Sequence, residues 1–522
     1  MQIPQHVTAL ESCGTLTMPS GCNTPLESDG GKKAPIQSVF CMGGGKQVPA
    51  LLIEEDYVVD FEGPDDPRNP QNWSTWKKCY TATIACFGTF VSAFASALFA
   101  PGGFYASHEF EVSTLVGLLG TSLFMLGFFF GPVIWAPGSE VIGRRWPLLI
   151  GMLGLSIFTI GAATAANIQT LIICRFFSGV CGVSPLCVVP GVLADMYNNN
   201  YRGVAVTLYA LTIFLGPLLA PFMGGFISMS SLGWRWTLYI PAILGFFDAA
   251  CITFFVNESY AALILTEKAV QIRKETGNWA VHAKQERIEF DPKEMLRKYF
   301  TRPIRMLFTE PIVFLVSMYM SFIYGIIYAL LVAYPYVFEE MYDMNPGERG
   351  LPFMGMTLGV IISVLGILAL HGSYGKKLKA NNNVPIPEWR LDYPIIGAPV
   401  FTVGLFWFAW TAWNPTIHWI VPSCAGILTG SGMLCIFMPC FNYLIDAYLP
   451  VAASAVAANI MLRSIVAAGF PLFTRQMFAN LGIQWAGTLL GCLAAIMIPI
   501  PLVFFYFGAT LRRKSKILAK EL

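Results

Sequence analysis

The chain has 522 residues, of which 55% are hydrophobic and only 12% charged, a composition that excludes an ordinary water-soluble domain. Its 33 Lys and Arg nearly balance its 31 Asp and Glu, so a net charge of +2 gives no reason to expect nucleic acid or an acidic macromolecule as partner. The 13 Cys stand singly, many in apolar runs and without metal-ligand spacing, which excludes a disulfide framework and a zinc site as organising features.

Residues 1–75 are rich in Gly, Pro, Ser and charge and read as a disordered cytosolic tail without a cleavable signal peptide. Gly43-Gly44-Gly45-Lys46 lacks the first Gly and the Ser/Thr of a phosphate loop, so no nucleotide site is expected, and neither cofactor nor metal is implied. Six apolar runs then follow, near 79–101, 113–135, 146–166, 175–195, 203–229 and 236–257, each long enough for a helix to cross a bilayer. They make a six-helix bundle over 76–257. A polar loop at 258–310 carries an amphipathic helix near 262–287. A second bundle over 311–508 has runs near 311–338, 351–371, 394–413, 418–445, 450–475 and 484–507, and a basic tail covers 509–522.

Six plus six spans put both termini and the central loop on one side. Of the 33 Lys and Arg, only Arg175, Arg235, Arg349, Arg463 and Arg475 fall outside the tails and loops assigned to that side, which marks it as cytoplasmic. The sequons at Asn72 and Asn257 then lie in the cytosol and carry no glycan. The halves echo each other. Leu193-x-Asp195-x-Tyr197 matches Leu444-x-Asp446-x-Tyr448, Gly233-x-x-Trp236 matches Gly482-x-x-Trp485, and Gly143-Arg144-Arg145 has a weaker counterpart in Gly375-Lys376-Lys377. The expected fold class is an all-α membrane protein of two pseudo-symmetric six-helix bundles, with substrate between them near mid-membrane.

Three motifs carry more. Gly138-Ser139-Glu140-Val141-Ile142-Gly143-Arg144-Arg145 follows the second span, Arg175-Phe-Phe-Ser-Gly179-Val-Cys-Gly182 lies in the fourth, and Gly216-Pro217-Leu-Leu-Ala220-Pro221-Phe-Met-Gly224-Gly225 in the fifth. Together they resemble the major facilitator superfamily, and within it the twelve-span drug:proton antiporters common in fungi. The resemblance covers residues 67 to 516. It departs from the family at Ala136 and Ala220, where Gly is usual, and at Gly138, where Leu is usual.

The resemblance implies roles. Glu140 with Arg144 and Arg145 is expected to form a charge lock between helices, the alternative being a positive-inside anchor. Arg175 is implicated in proton coupling, the alternative being a snorkelling residue at the outer end of its span. Gly216, Pro217, Pro221, Gly224 and Gly225 form the antiporter motif, the alternative being small-residue helix packing. From the residues themselves, Asp195 and Arg202 flank one loop and are a candidate gate pair. Asp248, Asn459, Arg463, Tyr324 and Tyr328 are candidate cavity residues, because charge within a span is costly unless it faces protein or water and Tyr suits amphipathic ligands. The seventh span is expected to break at Gly325 and Pro335.

The expected function is export of a drug, toxin or secondary metabolite by proton antiport at the plasma membrane, by a monomer that uses no ATP. Proton-coupled uptake of a nutrient or a polyamine-like solute is the alternative, as is a vacuolar or vesicular location. An intramembrane enzyme is not expected, since the five His have no catalytic partners in HxxxD or HExxH spacing.

Overall fold

A helix is the only open-chain element that satisfies its own backbone in lipid, so the apolar runs must become helices and pair their polar atoms inward. The computed structural model describes residues 57–63, 65–287, 301–381, 386–448 and 452–513. Among them are twelve helices long and apolar enough to cross a membrane. In the first half these are α1 (Thr75–Glu109), α2 (Thr114–Val141), α3 (Arg145–Ala163), α4 (Ile168–Met196), α5 (Tyr201–Met229) and α6 (Trp236–Phe255). In the second they are α7 (Pro311–Tyr342), α8 (Glu348–Ala369), α9 (Pro387–Ala412), α10 (Ile420–Ala447), α11 (Ser454–Leu481) and α12 (Ile483–Gly508). Between the halves lies a central-loop helix, Ala261–Thr276, closed by Gly277 in the left-handed region.

Start signals sit where the chain turns. Ser74, Ser113 and Asn167 each accept a hydrogen bond from a backbone N–H of the first turn of α1, α2 and α4. Gly233 and Gly482, the repeated glycines before α6 and α12, adopt φ of +75° and +79°, with almost nothing near a would-be Cβ. The repeat therefore preserves a backbone conformation there, one that a side chain would strain.

Packing inside the first half depends on missing side chains. A Cβ at Gly179 would lie 2.1 Å from the Phe124 carbonyl oxygen, and one at Gly127 would lie 2.4 Å from that of Phe176, so α2 and α4 touch backbone to backbone. Phe247, Phe254 and Ile496 stay exposed on the outer helix faces, as lipid contact demands. The halves meet along α2–α11 and α5–α8.

Three expectations change. α4 begins at Ile168, so Arg175 lies two turns inside the helix, fully buried, and not at a snorkelling end. α7 runs unbroken from Pro311 to Tyr342: Gly325 is a close approach to α11, where a Cβ would lie 2.8 Å from Val466, and Tyr334 next to Pro335 is held against Phe353 and Phe408. Finally, the part of the tail after Tyr57 is structured. Val59 bonds to the His282 carbonyl at 3.0 Å, and Lys268 on the central-loop helix meets Glu62 at 3.1 Å and the Asp60 carbonyl at 3.1 Å. The rest of the expected disordered tail, residues 1–56, lies outside the described residues.

Candidate functional site

The polar residues of the spans fall mainly into three groups along the bundle. At mid-depth, Arg175 reaches from α4 to α1 and α2. Its Nε donates to Gly120 O at 3.0 Å, and its terminal nitrogens donate to Ala95 O at 3.0 Å and Ser96 O at 3.3 Å, while its guanidinium lies over the Phe124 and Phe99 rings at 4.3 and 5.3 Å. Gly120 opens the space for this: a Cβ there would press on the Phe99 ring. A buried charge with three carbonyl partners and two ring faces is well compensated.

Arg175 fixes the α1 backbone at Ser96, and Ser96 reaches across to the other half. Its Oγ donates to Ala93 O at 2.6 Å and lies 2.6 Å from the Tyr328 hydroxyl on α7. The Tyr328 ring meets the Tyr324 ring at a tilt, 5.3 Å between centroids, and the Arg463 guanidinium on α11 lies 4.8 Å over Tyr324 and 5.4 Å over Phe437. Phe437 in turn meets Phe214 of α5 edge-on at 4.9 Å, again across the seam. Asn459 is one turn before Arg463 and fully buried. Ser96, Phe214 and Phe437 carried no signal in the sequence beyond being small or aromatic within a span.

Asp248 is not part of this layer, contrary to expectation. It is buried inside the first half, where a Cβ on Gly88 of α1 would lie 2.5 Å from its Oδ2 and where Met152 of α3 is also adjacent. Hydropathy had set its depth in the span but not the face it occupies.

At the end carrying the central loop, a cavity of about 200 Å³ opens between the halves and is lined by Glu140, Arg144, Arg202, Arg390 and Asp446 among others. Its charges pair differently from the expectation. Arg144 Nε meets Asp195 Oδ2 at 3.1 Å and its NH1 donates to Ser139 Oγ at 2.8 Å. Gly191 makes this possible, because a Cβ there would lie 2.8 Å from the Arg144 guanidinium carbon and block its path along α4. The Arg144 ion pair is thus with Asp195, not with Glu140. Arg145 turns away from both and donates to Thr253 O at 2.6 Å. Arg202 does not pair with Asp195 either; its NH2 reaches Ala194 O at 3.5 Å and its Nε is buried without a partner.

Glu258, not anticipated from sequence, ties the central loop down by accepting from the backbone N–H of Arg144 at 2.9 Å and Arg145 at 3.2 Å. Beside it, burial pushes the Tyr260 hydroxyl above its usual range, with Arg144 over its ring drawing it partly back.

The second half repeats the device. Asp446, the repeat partner of Asp195, pairs with Arg390 at 2.5 Å, just as Asp195 pairs with Arg144, and each Arg precedes or opens the third span of its half. Arg390, not the Lys376-Lys377 pair, is therefore the counterpart of Arg144 in space; Lys377 instead meets Asp392 at 3.4 Å on the surface.

At the opposite end, a second cavity of about 180 Å³ lies between Pro101, Leu118, Pro221, Leu331 and Tyr336. Glu109 accepts from Arg235 at 2.7 and 2.8 Å and from Trp234 Nε1 at 2.7 Å, and those Glu109 bonds hold the Arg235 guanidinium above its usual pKa. The antiporter-motif residues lie on this side of the seam. Gly216 and Gly224 seat α5 on α1, where Cβ atoms would meet Phe94 N at 2.6 Å and Leu98 O at 2.7 Å. Gly225 crosses to the other half, where a Cβ would lie 2.3 Å from Pro346 O, and Pro221 lines the cavity; Pro217 stays within α5, one residue past the Gly216 contact.

The Major Facilitator Superfamily pattern matches residues 85–471. The chain is 44% identical to the major facilitator superfamily multidrug transporter FLU1 of Candida albicans, over 91% of this chain and 78% of that one. It is 43% identical to the multidrug transporter TPO1_2 of Candida glabrata, over 91% of this chain and 82% of that one. Among solved structures, the proton:xylose symporter XylE superposes with a TM-score of 0.61 at 16% identity, covering 83% of this chain and 96% of that one. The human organic anion transporter MFSD10 gives 0.54 at 13% identity, covering 81% and 99%. Twelve spans, a seam with a cavity at each end, and this sequence match converge: the chain belongs to the major facilitator superfamily and is a multi-pass membrane transporter of small molecules, not an enzyme.

Proposed function

We propose that the chain exports small amphipathic organic molecules by proton antiport, through alternating access at the seam. The observation that carries the reading is the pair of cavities on one seam, one at each end, with the layer of Ser96, Tyr328, Tyr324, Phe437 and Phe214 between them. A seam with two vestibules and one closed layer needs only an exchange of which end is sealed to move a ligand across. At the central-loop end the Arg144–Asp195 and Arg390–Asp446 pairs are poised to be made and broken in that exchange.

Relatives named as multidrug transporters support a broad, amphipathic substrate range, and the aromatic and Met-rich seam suits one. The positive-inside bias supports both termini and the central loop in the cytosol, with the plasma membrane as the site of export. The proton gradient supplies the drive, the functional unit is a monomer, and no ATP is used.

The test is lumenal pH in acid-loaded proteoliposomes as a panel of amphipathic compounds is added, with protein-free liposomes subtracted. Alkalinisation above that control is expected, since substrate enters as protons leave. Protein-dependent acidification would mean cotransport and overturn the export reading.

A further inference from the structure

The two buried guanidinium groups of the seam are treated differently. Arg175 has three carbonyl partners. Arg463 is equally buried, yet among the described residues its Nε and NH1 have no hydrogen-bond partner and it forms no ion pair. Among the described residues no carboxylate pairs with it, and the faces of Tyr324 and Phe437 lie against it. A cation withdrawn from water with unused donors is strongly disfavoured unless something else supplies the acceptor.

Two carboxylates at the central-loop end are not free to do so. Asp195 is held by Arg144 and Asp446 by Arg390. Asn459, one turn before Arg463, adds an amide whose Oδ1 is unpartnered and whose Nδ2 has only the Met320 sulfur, a weak acceptor, at 3.4 Å. The cavity from the central-loop end reaches Cys187 and Ile460, and Ile460 is one turn before Arg463 on the same helix. Arg463 thus lies one turn beyond a lining residue of that cavity.

We infer that Arg463 is an anion-recognising subsite, with Asn459 beside it, and that the substrates include amphipathic organic carboxylates. The carboxylate accepts from a free guanidinium donor, and the Asn459 amide turns from Met320 to donate a second bond. The planar apolar body lies against Tyr324 and Phe437. The inference rests on the transport reading above and gives it a substrate class.

The test is binding of three scaffold-matched probes to the full chain in lipid nanodiscs: a naphthoate, its neutral methyl ester and the corresponding naphthylmethylammonium. Labelled naphthoate is displaced by each in turn. The anion is expected to bind about tenfold or more tightly than the ester, and more tightly still than the amine. Arg463→Met should erase that ranking while Arg463→Lys keeps part of it, because the charge survives and the reach and direction of the guanidinium donors do not. Should Arg463→Met fail to fold, the ranking of the probes on the unaltered chain decides. Absent naphthoate binding, equal affinities, or a ranking that survives Arg463→Met would overturn the subsite. Transport separates the two readings: anion-selective binding without proton-coupled flux leaves the subsite and removes the exporter, whereas proton-coupled flux of amines indifferent to Arg463→Met does the reverse.

Discussion

The hydrogen bond between Ser96 and Tyr328 is the shortest polar link between the halves at mid-depth, and its two ends are not equivalent. Ser96 Oγ donates to Ala93 O at 2.6 Å, so its proton is already committed and the Tyr328 hydroxyl must be the donor across the seam. In Tyr328→Phe, Ser96 keeps its Ala93 partner and nothing buried is orphaned, so the cost is the net worth of one hydrogen bond, about 1 kcal/mol. In Ser96→Ala, the Tyr328 hydroxyl loses its acceptor inside a fully buried layer, and the cost rises to about 1–3 kcal/mol. The double variant should cost little more than Tyr328→Phe, because both groups have then left together. Thermal unfolding of the four proteins in nanodiscs reads this directly, with the order Ser96→Ala below Tyr328→Phe. If Tyr328→Phe is the more damaging, or if the two effects simply add, the donor assignment and the cross-seam bond are wrong.

Other outcomes follow from the same geometry. Arg144→Met strands Asp195 and should cost about 1–3 kcal/mol, appearing as faster hydrogen exchange in residues 139–146, whereas Arg145→Met should leave the Arg144–Asp195 contact intact. Gly179→Ala forces a methyl to within 2.1 Å of the Phe124 carbonyl and should lower the unfolding temperature by an amount corresponding to about 1–3 kcal/mol or more, while Gly366→Ala, with nothing within 4 Å, should not lower it. Asp66 accepts from the Arg68 and Glu62 backbone N–H groups, which hold its carboxyl below the usual carboxylate range. That contribution is present above the ordinary carboxylate pKa and is lost as pH falls through the lowered value. Acidification into that range should therefore raise proteolytic cleavage within residues 57–73; cleavage that instead increases at neutral pH would refute the assignment.

Much of the fold was legible because lipid leaves the chain few choices. An apolar run of about 20 residues becomes a spanning helix whatever surrounds it. The Gly233 and Gly482 echoes were equally readable, since both encode a positive φ that few other residues tolerate. Side-chain direction was not. Asp248 and Arg463 look alike in hydropathy, yet one faces the interior of its own bundle and the other the seam. The partners of Arg175 are backbone carbonyls, which every residue possesses and no motif records. Chain order made Gly375-Lys376-Lys377, after the eighth span, the repeat counterpart of Gly143-Arg144-Arg145. Packing brings Arg390 to Asp446 instead, and the charge that matters is the one the helix bundle carries to the carboxylate.

Alternating access is tested most directly by reporting on both cavities of one protein. Cys187 lines the central-loop cavity and Leu118 the opposite one, so Cys187 and a Leu118→Cys substitution, each with the remaining cysteines replaced, give one reporter at each end. Their reaction with a membrane-impermeant thiol reagent would be followed while proton gradient and transported compound are varied. The account predicts reciprocal change, one site gaining reactivity as the other loses it. Reactivities that rise and fall together would contradict it, since a single seam closed at one end at a time cannot open to both.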